Sequence, residues 1–167
     1  MDDGGNKRQQ STQTNSESVD EFNDSSEDVL LEVVNQDRYS LSYTIFIIPQ
    51  LSSFEVTGEL IEALPKWLDE IFTKNGWKLE FVMVNPQYLQ WALTVSTTVV
   101  ASQVVIQVRN ELSKLILATI DEPIDLKDST DIWAHGYLLL HGIHQDPSGI
   151  IEQYIRLIRE QQQKSSI

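Results

Sequence analysis

Residues 77–95 read Trp-Lys-Leu-Glu-Phe-Val-Met-Val-Asn-Pro-Gln-Tyr-Leu-Gln-Trp-Ala-Leu-Thr-Val. Two runs of branched and aromatic residues flank Asn85-Pro86, a turn signal, so the stretch reads as two consecutive strands, Trp77–Val84 and Tyr88–Val95. What lies on either side sets the fold. Upstream, Leu60, Ile61, Leu64, Trp67, Leu68, Ile71 and Phe72 recur at helical spacing, and Asn75-Gly76 closes that helix with a glycine suited to the left-handed cap. Before it, Ser40 to Ile48 alternates, turns fully apolar and stops at Pro49, which predicts a central strand. Downstream, Val104, Val105, Val108, Leu112, Leu115 and Ile116 predict a second helix. A polar loop from Asp121 to Thr130 leads to a fourth strand, Trp133–His141. Asp146-Pro147-Ser148 begins a last helix, with aspartate as expected N-cap and Ile150, Ile151, Tyr154, Ile155 and Ile158 on one face.

The order β-α-β-β-α-β-α predicts an α+β, ferredoxin-like split β-α-β sheet covered by helices, with no internal repeat. That architecture hosts many unrelated activities and by itself assigns none.

Composition narrows the classes. The 167 residues suit one domain plus a tail, and 41% hydrophobic content supports a single core. With no cysteine, disulfides, zinc–thiolate sites and thiol nucleophiles are excluded. The first thirty residues hold no apolar stretch, and no run approaches the roughly 20 apolar residues of a membrane span. The expectation is a cytoplasmic protein with no membrane partner. The net charge of −13 repels phosphate backbones, so any nucleic-acid site has to be a local basic patch.

The charge is uneven. Residues 1–36 carry nine acids against Lys7 and Arg8 and read as a disordered acidic tail, leaving 37–167 as the folded domain. Val29–Val34 ends the tail as an extra edge strand, a docked linker or a peptide that adds a strand to a partner's sheet. Ser25 and Ser26 lie in an acidic run where phosphorylation is conceivable.

Four segments then align with something known. They are Val84-Asn85-Pro86-Gln87-Tyr88-Leu89-Gln90-Trp91, Ser102-Gln103-Val104-Val105, Ile132-Trp133-Ala134-His135-Gly136-Tyr137 and Ile151-Glu152-Gln153-Tyr154-Ile155. In this order and spacing the chain resembles the small single-tyrosine HUH transposases, the insertion-sequence and REP-associated enzymes, over residues 40–163. In that family the strand after the proline carries His-hydrophobe-His. Alternate strand positions share a face, so both imidazoles hold one divalent metal. The metal polarises the scissile phosphate while a helix tyrosine attacks, and a glutamine one turn beyond the tyrosine completes the site.

The resemblance implies that Tyr154 matches the nucleophile and that Tyr88, Gln90 and Ile158 stand where the three metal ligands were. A neutral phenol, one amide oxygen and an alkyl group make a poor seat for Mg²⁺ or Mn²⁺. Neither a catalytic residue at work nor a metal or other cofactor is therefore expected, and the plainer role of Tyr154 is packing. The basic turn after the first strand is replaced by uncharged Pro49-Gln50-Leu51-Ser52-Ser53. Remaining candidates for nucleic-acid contact are Arg109, Lys114, Arg156 and Arg159. His135, His141 and His144 are the residues from which a relocated metal loop would have to be built. Asp121, Glu122, Asp125, Asp128 and Asp131 lack the glycine and final glutamate of a calcium loop and read as a solvated connection.

Three functions follow. The favoured one is a domesticated, catalytically inactive transposase-like domain serving as a regulatory or scaffolding module with a protein partner. The second is a non-cleaving binder of DNA or RNA hairpins or single strands. The third is an active transposase or nuclease with a rebuilt site. The resemblance also implies a homodimer joined edge to edge, for which the apolar run Tyr43–Ile48 is the expected edge.

Overall fold

A computed structural model describes residues 31–35 and 38–166. Its elements are β1 (Leu31–Asn35), β2 (Arg38–Ile47), α1 (Glu59–Asn75), β3 (Lys78–Asn85), β4 (Tyr88–Ser96), α2 (Ala101–Thr119), β5 (Leu138–His141) and α3 (Ser148–Ser165). All strand pairs are antiparallel. β4 lies between β3 and β2, and the far side of β2 is shared by β1, with Leu31 opposite Leu41, and by β5, with His141 opposite Tyr43. Without β1 the order is β5-β2-β4-β3, the split β-α-β arrangement expected from the sequence.

The two-residue strand period builds the two faces. Tyr43, Ile45 and Ile47 of β2 join Leu89, Trp91, Leu93 and Val95 of β4 in the main core beneath α1 and α2. Phe46 and Ile48 point the other way and meet Ile151, Tyr154 and Ile158 of α3 in a second, smaller core. Both β2 and β4 are therefore buried on both faces, which is why their sequences run nearly continuously apolar. α1 ends as its sequence predicts. Gly76 takes φ 70°, ψ 24°, and its N–H and that of Trp77 reach back to the last-turn carbonyls of Thr73 and Phe72.

Four expectations are corrected. Tyr43–Ile48 is no free edge, because β2 is flanked by β4 on one side and β5 on the other. The fourth strand begins at Leu138, not Trp133. Trp133 makes a single bridge to Pro49, flanked by Gln50 N donating to Ile132 O at 2.7 Å and Ala134 N to Ile48 O at 2.9 Å, and a bend at His135 separates it from the ladder that resumes at Leu138. The last helix starts at Ser148 with no side-chain cap, and Asp146 lies outside it. Ile150 sits exposed on α3 rather than on its buried face.

Leu31–Asn35, at the end of the acidic tail, is an edge strand by its backbone pairing. The rest of the tail, with Ser25 and Ser26, lies outside the described residues. No helix of the described residues is long and apolar enough to cross a membrane.

Candidate functional site

β4 places Tyr88 and Gln90 two residues apart on the face that α3 covers. Gln90 stands opposite Phe46 of β2, and the Tyr88 ring lies 6.2 Å from the Phe46 ring. On α3, Tyr154 and Ile158 are one turn apart and project to the same side. Phe46, Ile48, Ala134, Ile151, Tyr154 and Ile158 form one cluster, with Tyr88 packed against it. Residues separated by more than sixty positions in sequence thus gather under one helix, where the resemblance puts a metal and a nucleophile.

Each of these side chains is occupied with structure. Gln90 is fully buried, and its Nε2 donates to the carbonyl oxygens of His144 at 2.8 Å and Gln145 at 3.4 Å. Two carbonyl acceptors fix the amide's orientation and leave Oε1 buried with no partner. Thr44 works on the same loop, donating to Gly142 O at 2.8 Å and accepting from His144 N at 2.9 Å. Together they pin the 142–145 connection that delivers α3 to the sheet.

The Tyr154 hydroxyl donates to Gly136 O at 2.8 Å. Burial raises the phenol's pKa above its ordinary value, and the nearby Arg109 and Arg159 guanidiniums lower it by less. Its proton is held more firmly than in a free tyrosine, the reverse of what a nucleophile requires. Ile158 fills the space over Gly136: a Cβ there would come within 2.5 Å of Ile158 Cδ1.

These residues do not fit a divalent cation. The unpartnered Gln90 Oε1 is one neutral oxygen, Tyr88 offers a single phenol oxygen, and Ile158 offers no donor. A hard cation takes six or more oxygens, with carboxylates prominent among them. Among the described residues no three His, Cys, Asp or Glu side chains are grouped to hold a metal. His141 packs its ring 5.3 Å from that of Tyr43, while a ring nitrogen of His144 lies 2.6 Å from the His141 carbonyl oxygen.

The four cations have different fates. Arg109 is 7% exposed and is not a ligand contact, which corrects the sequence reading. It donates from Nη1 to His135 O at 2.9 Å and from Nη2 to Trp133 O at 3.3 Å and Asp131 Oδ2 at 2.6 Å. Arg159 is half-buried and donates to Gln50 O at 3.0 Å and Gln162 Oε1 at 2.9 Å. Lys114 and Arg156 are exposed.

Asp131 is what the sequence reading missed. Read as part of a solvated connection, it is half-buried and accepts Arg109, the Ser113 hydroxyl at 3.1 Å and Trp133 N at 3.0 Å. No local motif marks it, since its side-chain partners Arg109 and Ser113 come from α2, about twenty residues away. Arg109, Ser113 and Asp131 hold the 131–135 segment, and so carry Gly136 to its place under Tyr154.

No known family profile matches the chain, and no curated protein matches it. Among solved structures, a candidate transposase from Deinococcus radiodurans R1 superposes with a TM-score of 0.65 at 19% identity. The match covers 76% of this chain and 97% of that one. The fold is transposase-like. At this identity the likeness concerns the backbone arrangement alone, and the transposase-like fold leaves the chemistry to the side chains described above.

Proposed function

We propose that this transposase-like domain no longer cleaves nucleic acid and serves as a regulatory or scaffolding binding module whose partner is a protein. The observation that carries the reading is the conversion of Tyr88, Gln90, Tyr154 and Ile158 into a packed, hydrogen-bonded anchor for α3. The net charge of −13 supports a protein partner over a phosphate backbone. The test is a covalent-capture assay. Labelled single-stranded and hairpin DNA is incubated with the protein and Mg²⁺ or Mn²⁺ and resolved under denaturing conditions, with Tyr154→Phe as control. No adduct is expected, and a Tyr154-dependent adduct would overturn the reading. Affinity purification from the native cell should still recover a protein partner after nuclease treatment.

A second reading, non-cleaving nucleic-acid binding, draws on the exposed cations Lys114 and Arg156. It requires affinity that falls steeply with salt through counterion release. Among the described residues β3, β1 and β5 each pair with one strand, so a homodimer joined edge to edge would use one of these edges, and light scattering tests whether a dimer forms.

A further inference from the structure

Beyond Ile158 a cleft of about 470 Å³ opens between the last turns of α3, the turn that follows β2 and the 125–127 loop. Its volume falls within the roughly 300–1,000 Å³ of small-molecule sites. The apolar floor is Leu51, Leu126 and Ile158. Around it stand Gln50, Ser52, Lys127, His135 and Gln161, and none of these side chains has a hydrogen-bond or ion-pair partner among the described residues.

The charge at this site departs from that of the whole chain. The cleft carries one lysine, Lys127, against one aspartate, Asp125, whose Oδ1 accepts Lys127 N, with the His135 imidazole as a further hydrogen-bonding group. Arg159 lines the adjoining recess, where it and Gln162 cover the Gln50 carbonyl that would otherwise repel an anion. Lys127 and Asp128 both hold positive φ, 46° and 69°, a conformation that costs non-glycine residues energy and fixes the course of the loop beside the cleft. Lys127 and Arg159 against Asp125 leave the cleft and its adjoining recess with one net positive charge on a chain of net charge −13, which together with the unengaged donors suits an anion.

The amides say more about the ligand than the charge does. Gln50 and Gln161 each offer a donor and an acceptor in one plane, the pattern that pairs with the edge of a nucleobase, and the apolar floor suits its flat face. We propose that this cleft binds a single nucleoside monophosphate, with its phosphate toward Lys127 and His135 and its base between the glutamine amides. The nucleotide is either free or an unpaired residue of a strand. This binding is independent of the loss of cleavage: an adduct at Tyr154 would remove that reading and leave the cleft's occupancy untouched.

Calorimetry and ligand-observed NMR on the full chain test it. The probes are the common nucleoside 5′-monophosphates, their parent nucleosides and inorganic phosphate. At least one monophosphate should bind about tenfold more tightly than its nucleoside and than phosphate alone, the gain expected when charge and base contacts act together. Lys127→Gln and the cleft-filling Ser165→Trp should each weaken it several-fold, whereas Lys66→Ala, exposed on α1 and outside the cleft, should not. Circular dichroism confirms that each variant folds, and either cleft variant alone suffices. A short single-stranded oligonucleotide that displaces the monophosphate identifies a strand as the source, and failure to displace identifies the free nucleotide. The proposal is overturned if no monophosphate binds at millimolar concentration, if phosphate binds equally well (an adventitious ion only), or if the cleft variants bind as wild type does.

Discussion

The hydroxyl of Tyr154, on α3, donates its proton to the carbonyl oxygen of Gly136 at 2.8 Å. This bond ties the helix to the segment that leads into β5, and it engages the one group on which strand cleavage by a tyrosine would depend.

Tyr154→Phe should therefore act on stability. Loss of one hydrogen bond with the ring retained costs about 0.5–1.5 kcal/mol. The pH dependence gives a sharper signature. Because the folded-state pKa is raised, the stabilisation is fully present below pH 10 and is lost as pH climbs above it, where the unfolded chain ionises and the folded one does not. Urea unfolding followed upward from pH 9 should show wild type losing stability faster than Tyr154→Phe.

Gly136→Ala puts a methyl where Ile158 Cδ1 already sits. Overpacking costs about 1–3 kcal/mol, and the low end is expected because the terminal methyl of isoleucine can rotate away. Ile158→Val removes that methyl. The double variant should recover part of the loss, a coupling that thermal unfolding of all four proteins would detect.

Arg109→Met should be among the most damaging single changes. It removes a buried guanidinium from Asp131 and two backbone carbonyls. Breaking a buried pair costs roughly 3–5 kcal/mol, and the partial exposure of Asp131 places the expected loss near 3. Arg156→Ala and Lys114→Ala, at exposed positions, should stay within about 0.5 kcal/mol of wild type. Denaturant midpoints would separate the two classes.

Gln90→Ala deprives the His144 and Gln145 carbonyls of a buried donor, at a cost of about 1–3 kcal/mol. Hydrogen exchange should quicken in the 142–146 connection and the first turn of α3 before it does in β2 or β4. The triple change Tyr88→His, Gln90→His and Ile158→Gln would rebuild the ligand set implied by the resemblance, and Mn²⁺ binding should appear there and not in wild type.

Glu80 supplies an acid-side dependence. The Thr94 hydroxyl donates to it at 2.7 Å and Lys78 lies 3.0 Å away, and these lower its pKa below the usual 4.5. A depressed carboxylate stabilises the fold above its unfolded pKa and loses that contribution as pH falls through the folded value. Glu80→Gln should flatten the decline in stability below about pH 4.5, the unfolded carboxyl value.

The sequence legibly specified every long element. Strand and helix periods are properties of residues near one another, and the continuous apolar runs of β2 and β4 could only belong to strands covered on both faces. Shorter features were lost where the controlling partner was distant. β5 starts late because the chain bends at His135 between the Pro49–Trp133 bridge and Leu138, and the loop ahead of α3 is held by Gln90 and Thr44, residues more than fifty positions away, rather than by an aspartate cap. A charged residue read by itself also misleads: Arg109 reads as a phosphate contact until Asp131 is placed beside it.

By itself the chain determined its α+β order, its acidity, its lack of thiol chemistry and the absence of histidine at Tyr88 and Gln90. Only the tertiary structure decided what those two residues and Tyr154 do instead. Burial, pairing and the direction of a hydrogen bond depend on atoms brought together from positions 44, 90, 109, 131, 136, 144 and 154, and that proximity exists only once the sheet and α3 have closed on one another.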